Sequence, residues 1–339
     1  MEPVDNSSDR NRVIQDELQE IKNKLNSLIK ESTILTCNTE LVQVRIRLTK
    51  HKQIVASIQF PANYPHDVLL VEFKSKTISE KILDTLLNLC NSEFKKHKGQ
   101  KQILYLLHFV HQFIVNNPLC ICADEVRHLK NNIVDAQRGD WIKIKQKSST
   151  ILLRFQQQRY YIETKLAIPH HYPVACATAE ITSTNFPELL KKTLSGFCEE
   201  IARKCVEKPL KPNPKDPPFI PQPSLQPVTD YIVNFCRKHA IAKCPICKKL
   251  ALPENPSQIV TDIEHDSYVE RVYCDHLFHY GCLDKHMKKP PFTGGKKCPA
   301  CSKRIYHDRW KISARTAEDR WAHEQARKRE LDEVIDFLS

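Results

Sequence analysis

The chain has 339 residues, 41% of them hydrophobic, which is enough for two or three domains with their own cores. Its formal net charge is +12, yet Lys and Arg alternate with Asp and Glu in every segment, so solvated faces explain the charge and a nucleic-acid groove is not expected. The polar start MEPVDNSSDRNR and the lack of any apolar run of roughly 18 residues predict no membrane partner, and a cytoplasmic or nuclear location.

The first element is a helix over 10–30, with Val13, Leu18, Ile21, Leu25, Leu28 and Ile29 at helical period. Strand-like stretches follow at 33–37, 41–49 and 53–60, then a Tyr64-Pro65 turn and a strand over 68–73. Helices near 78–98 and 102–116 complete this unit. The order then recurs. Helix signal covers 121–137, strands cover 141–146, 150–156, 159–168 and 175–182, and a helix runs over 187–206. Phe60-Pro61-Ala62-Asn63-Tyr64-Pro65 and Ile168-Pro169-His170-His171-Tyr172-Pro173 share the pattern apolar-Pro-x-x-Tyr-Pro at an offset of 108. A lone Pro turn merely ends strand pairing, because Pro cannot donate to the ladder. Two turns with matched flanks point to duplication.

This layout of helix, four-stranded meander, Tyr-Pro turn and helix resembles the RWD domain, a relative of the ubiquitin-conjugating-enzyme fold without its catalytic cysteine. The resemblance implies tandem RWD-like domains at 8–117 and 118–206 in an α+β chain. Cys90 and Cys198 fall within helical patterns, where a buried thiol is the usual state.

Residues 207–227 hold eight prolines and predict an extended spacer rather than a helix; an SH3-type ligand is the other reading. A helix over 228–243 leads to Cys244. Cys236 and His239 upstream form a C-x2-H pair and are read as helix residues.

Eight residues then follow the spacing C-x2-C-x26-C-x-H-x2-H-x2-C-x15-C-x2-C: Cys244, Cys247, Cys274, His276, His279, Cys282, Cys298 and Cys301. Tetrahedral zinc takes four thiolate or imidazole ligands, so eight predict two closed structural sites with no open position for a water. The order resembles the RING finger of the RING-H2 type, over about 240–306. In that family the pairs interleave. The resemblance implies one zinc on Cys244, Cys247, His279 and Cys282, and another on Cys274, His276, Cys298 and Cys301; two sequential sites are the alternative. It also implies a RING-type E3 ubiquitin ligase, with a ubiquitin-conjugating enzyme, ubiquitin and a protein substrate as partners. The conjugating enzyme would dock on Ile246, Met287 and Pro299. The family's third docking position, four places after the sixth ligand, is His286, with Met287 beside it. Ser302, Lys303 and Arg304 follow the last ligand, where many such ligases carry Arg or Lys. A non-catalytic zinc scaffold is the alternative function. No catalytic residue is expected on this chain itself, and no phosphate-cradling glycine loop is present.

A charged helix over 316–338 ends the extension at 307–339. Its stripe of Trp321, Leu331, Val334, Ile335 and Leu338 is expected to pack on the finger, with partner binding as the other reading.

Overall fold

The computed structural model describes residues 6–209, 217–311 and 313–338. The first unit opens with α1 (Asn6–Leu28), whose Ile14, Leu18, Ile21 and Leu25 are buried on one face. A meander of β1 (Ser32–Cys37), β2 (Val42–Arg47), β3 (Gln53–Gln59) and β4 (Leu70–Lys74) pairs in the order β1-β2-β3-β4. Period-two burial sets the inner face: Val42, Val44 and Ile46 on β2, Ile54, Ala56 and Ile58 on β3. Helices α2 (Glu80–Phe94) and α3 (Ile103–Asn116) close this core.

The second unit repeats the plan. A broken helical stretch includes α4 (Ala123–His128) and a π-helical turn over Leu129–Ile133, where the sequence predicts one helix over 121–137. Strands β5 (Trp141–Lys145), β6 (Thr150–Gln157), β7 (Tyr160–Ala167) and β8 (Thr178–Thr184) again pair in sequence order, and α5 (Glu188–Val206) follows. The register matches the first unit. Ile58 faces Val71 and Ala56 faces Phe73; 108 residues later, Leu166 faces Ala179 and Thr164 faces Ile181. Cys90 and Cys198 sit at the same step of α2 and α5, both fully buried, and burial pushes both thiols up to about 12. The two cores meet without a spacer. Cys120 belongs to the first, while Leu119 and Cys122 belong to the second.

Helix α6 runs Leu225–Ala240, earlier than the 228–243 predicted. Pro227 lies in its first turn, where its missing N–H is harmless. This corrects the reading of 207–227 as a spacer that holds two folded parts apart. Its centre, 210–216, lies outside the described residues. Its end is docked: Gln222 N donates to Cys205 O at 2.8 Å, and Ala177 N donates to Ser224 Oγ at 2.9 Å. Leu225, Val228, Ile232, Val233, Phe235 and Cys236 are buried in the second core. So α6 is the last helix of the second unit as well as the approach to Cys244.

The same polar latch fixes the last helix of both units. Tyr64 of the first Tyr-Pro turn donates its hydroxyl to Glu17 of α1, and Glu17 Oε1 accepts the N–H groups of Gln102 (2.6 Å) and Ile103 (2.7 Å) at the head of α3. Tyr172 donates to Glu125 Oε2 at 2.7 Å, Glu125 Oε1 accepts Gln226 N at 2.9 Å, and Leu225 N donates to the Tyr172 hydroxyl at 3.0 Å. Each glutamate satisfies N–H groups that a helix start leaves without intrahelical partners. α6 therefore occupies in the second unit the place of α3 in the first.

Glu17 is 1% exposed, and burial raises its carboxyl above the ordinary 4.5 against its three hydrogen bonds. The folded state then holds that proton more tightly than the unfolded chain. Its contribution to stability is complete below 4.5 and is lost as pH rises through the folded value. Glu17→Gln is expected to keep an acceptor and remove this pH dependence. Glu17→Ala strands the Ile103 N–H and the Tyr64 hydroxyl, leaving Gln102 N only its bond to the Tyr64 hydroxyl at 3.1 Å, and is expected to cost about 2 to 4 kcal/mol. Hydrogen exchange of the amides of Ile103–Leu107 measures both; unchanged protection in the Ala variant refutes the latch.

Candidate metal centre

Two knuckles of the same shape deliver four sulfurs. In the first, Lys248 N donates to Cys244 O at 2.9 Å and Cys244 N to Lys249 O at 2.8 Å; in the second, Ser302 N donates to Cys298 O and Cys298 N to Lys303 O, each at 2.8 Å. Lys248 (φ 64°) and Ser302 (φ 58°) take the left-handed turn at matching places. A short hairpin of β9 (Val269–Arg271) and β10 (Leu277–His279) places Cys274 and His276 at its turn and His279 at its end. Helix α7 (Tyr280–Lys288) then brings Cys282 round in its first turn.

The eight side chains gather into two clusters, Cys244, Cys247, His279 and Cys282, and Cys274, His276, Cys298 and Cys301. Within each, the ligand atoms lie within 4.8 Å of one another. A tetrahedral ion with sulfur bonds of about 2.3 Å sets its ligands roughly 3.8 Å apart, so both clusters have the size zinc requires. The pairs interleave. Cys247 Sγ lies 3.3 Å from His279 Nδ1, and Cys274 Sγ lies 3.4 Å from His276 Nδ1. His279 Nε2 is 3.0 Å from Leu250 O, a contact that puts the ring proton on Nε2 and leaves Nδ1 free to ligate.

The electrostatics fit a dication. Burial pushes Cys274 up to about 12, with Cys301 and Cys298 adding to it, and burial with Cys244 and Cys247 does the same for Cys282. Crowded thiols resist ionising together, and a bound cation reverses that. Cys244 goes the other way: burial opposes its thiolate, but His279 and backbone N–H groups hold it down to about 6.

Cys236 and His239 stand in α6, outside both clusters. Cys236 Sγ points to Phe155 O at 3.5 Å. His239 is buried, with Nδ1 3.0 Å from Phe235 O and Nε2 3.4 Å from Asp275. Asp275 lies between the ligands Cys274 and His276 and also meets Lys238 and Arg271 (Nε at 2.7 Å). Burial opposes its charge, yet His239, Lys238 and Arg271 hold its carboxyl well below the usual range. Sequence reasoning missed this anchor, because nothing in the spacing marks the residue between two ligands. Ala251, Leu252, Val269 and Leu277 complete the seam by joining the second unit's core, and Tyr160 donates its hydroxyl to Pro253 O at 2.7 Å.

Of the expected docking residues, Ile246 is half-buried and Pro299 is exposed. Met287 is half-buried and lines a cavity beside Trp310, whereas His286 Nε2 meets Lys297 O at 3.1 Å, two residues before Pro299.

Residues 8–114 match the RWD domain family, and residues 244–301 match the family described as zinc finger, C3HC4 type (RING finger). In this chain His279 stands at the fifth ligand, where that pattern has cysteine. No curated protein matches the chain. An RWD domain with a RING finger fits an E3 ubiquitin ligase or a ubiquitin-pathway adaptor.

Cys247→Ala is expected to lose the zinc of the first cluster and unfold the finger, since metal binding there is also folding free energy. Loss should spread to the last turns of α6 through Asp275 and stop short of the first unit. Metal analysis with hydrogen exchange tests this; full protection of Phe235–Ala240 in the variant contradicts the coupling.

Proposed function

We propose that this protein is a RING-type E3 ubiquitin ligase holding two structural zinc ions, with no covalent intermediate on its own chain. The pairing of eight ligands into two closed clusters carries the reading. Closed sites leave no position for a reacting water, so the finger acts as a docking surface, and its contribution to catalysis is positioning. The conjugating enzyme docks on Ile246, Met287 and Pro299, joined by His286, which is bonded beside Pro299.

The second unit is a second RWD-like domain. Its strand order, its β7–β8 register, its glutamate latch and α6 in the place of α3 support this. The two domains carry the substrate or complex contacts, in the cytoplasm or nucleus. The order of parts resembles the Fanconi anaemia ubiquitin ligase subunit, whose finger likewise follows its last Cys with Ser-Lys, as Ser302 and Lys303 do here. A non-catalytic scaffold is the second reading, favoured by His286 where an apolar residue is usual and by Ser302 after the last ligand.

Autoubiquitination across a panel of conjugating enzymes separates the two. Ile246→Ala is expected to weaken docking by about 2 kcal/mol, roughly 30-fold, with two zinc ions retained. Met287→Ala is expected to act less than His286→Ala, because the Met287 side chain lines a cavity. No ubiquitin transfer with any enzyme, from protein carrying both ions, selects the scaffold.

A further inference from the structure

Helix α8 (Ala314–Leu338) sets Ala317 and Trp321 beside Met287 and Trp310 of the finger. Leu331, Val334 and Ile335, further along it, are more than half exposed, which corrects the expectation that the whole stripe packs on the finger. A second apolar stretch at the surface is the described end of the proline-rich connection, Pro217-Pro218-Phe219-Ile220-Pro221-Gln222-Pro223.

Its sequence leaves this backbone little choice of shape. Each Pro fixes its own φ at about −65° and moves the residue before it to extended or polyproline dihedrals. The four prolines thereby restrict every position from 217 to 223 except Phe219. No helix, strand or turn forms there. A polyproline helix repeats every three residues, so the segment has three edges. Pro217, Ile220 and Pro223 share one, Pro218 and Pro221 a second, and Phe219 and Gln222 the third. The body holds the third edge: Phe219 is half-buried, and Gln222 N donates to Cys205 O at 2.8 Å. The first edge is wholly exposed, and Ile220, at 68%, is the most exposed large aliphatic side chain described. On the second edge Pro218 is exposed and Pro221 half-buried. A connection needs no apolar side chain in water, whereas a ligand segment does.

We propose that Pro217–Pro221 is a docking segment for an SH3-type domain of another protein. Such domains read polyproline ligands with a groove lined by aromatic side chains. The two free edges bring the apolar-Pro pairs Pro217-Pro218 and Ile220-Pro221 to one side, one turn or about 9 Å apart, so each pair fills one slot between aromatic rings. The third edge, which such a groove leaves unread, is the one tied to the second unit. The segment is also anchored just beyond, where Ser224 Oγ accepts Ala177 N at 2.9 Å. It therefore enters the groove already extended and loses little conformational freedom on binding. None of these residues is a metal ligand, and the contact does not depend on ligase activity.

Binding of a panel of isolated SH3 domains to the full, zinc-loaded chain tests the proposal, read by fluorescence anisotropy. At least one domain is expected to bind. Pro218→Ala with Pro221→Ala is expected to weaken that binding by about tenfold or more, and so is Ile220→Asp. Ile220 is exposed, so its variant is expected to keep both zinc ions and full hydrogen-exchange protection of α6. Gln222→Ala keeps the backbone donor and alters only the third edge, so it is expected to change binding less than about twofold. Failure of every domain in the panel to bind overturns the proposal. So does binding that the proline pair and Ile220→Asp leave unchanged, or a loss on Gln222→Ala as large as on Ile220→Asp.

Discussion

Helix α6 is shared by two bodies, and the arrangement of the rest follows from that. Its first turn is held by Glu125 and Tyr172 of the second unit, and its last turn meets Asp275 between two metal ligands. Sixteen helical residues make a rod of about 24 Å, stiff enough to transmit orientation. Apolar burial supplies most of the attachment: Ile232, Val233, Phe235 and Cys236 each leave water, at about 1.5 to 3 kcal/mol for a large side chain. The ion cluster at Asp275 is about one-third exposed and contributes less. Its role is registration, because it fixes which turn of α6 faces the second zinc cluster.

How much of this was legible in the sequence depended on how strictly each constraint prescribes spacing. Zinc prescribes it tightly, so the eight Cys and His residues that gather into two clusters, and by resemblance their interleaving, could be read directly. The Tyr-Pro turns were legible for a similar reason, since Pro punctuates strands. The membership of α6 was hidden. Eight prolines in 207–227 dominate the local signal, and the residue that anchors the helix, Glu125, lies 100 residues before Leu225. A clue existed. Asp16-Glu17-Leu18 and Asp124-Glu125-Val126 repeat at the same offset of 108 as the Tyr-Pro turns, and Cys90 with Cys198 repeats it again. Extending the repeat in both directions from the turns would have exposed the latch. The α8 stripe misled because apolar period announces a helix face but not what packs on it.

The duplicated latch also explains how the chain passes from one body to the next. α3 ends at Asn116 and the residues of the second core begin at Leu119; α6 ends at Ala240 and the first metal ligand is Cys244. In each case the last helix of one unit is the mount for the next. Between α2 and α3 the chain needs only Lys95–Gln102, whereas between α5 and α6 it spends 207–224, with Ser224 and Gln222 tied back to the second unit. Extra length there leaves the fold intact because Tyr172 and Glu125, not the connection, determine where α6 starts. Loop length costs little by comparison.

A finger mounted in this way has a consequence for positioning. A ligase without a covalent intermediate accelerates transfer by holding two reactants in reach, so its gain depends on how narrowly their relative placement is fixed. A flexible tether would leave the finger to sample many orientations and would dilute that gain. With Leu252, Val269 and Leu277 packed into the second unit's core, the finger and that unit sample few. If partners bind the two amino-terminal units as proposed, the distance from a bound substrate to a docked conjugating enzyme is set by α6 and the Asp275 cluster rather than by the proline-rich connection. Loosening Asp275 would then slow transfer to a bound substrate while leaving the proposed docking on Ile246 and Pro299 untouched, because those residues sit on the knuckles and not on the hairpin turn.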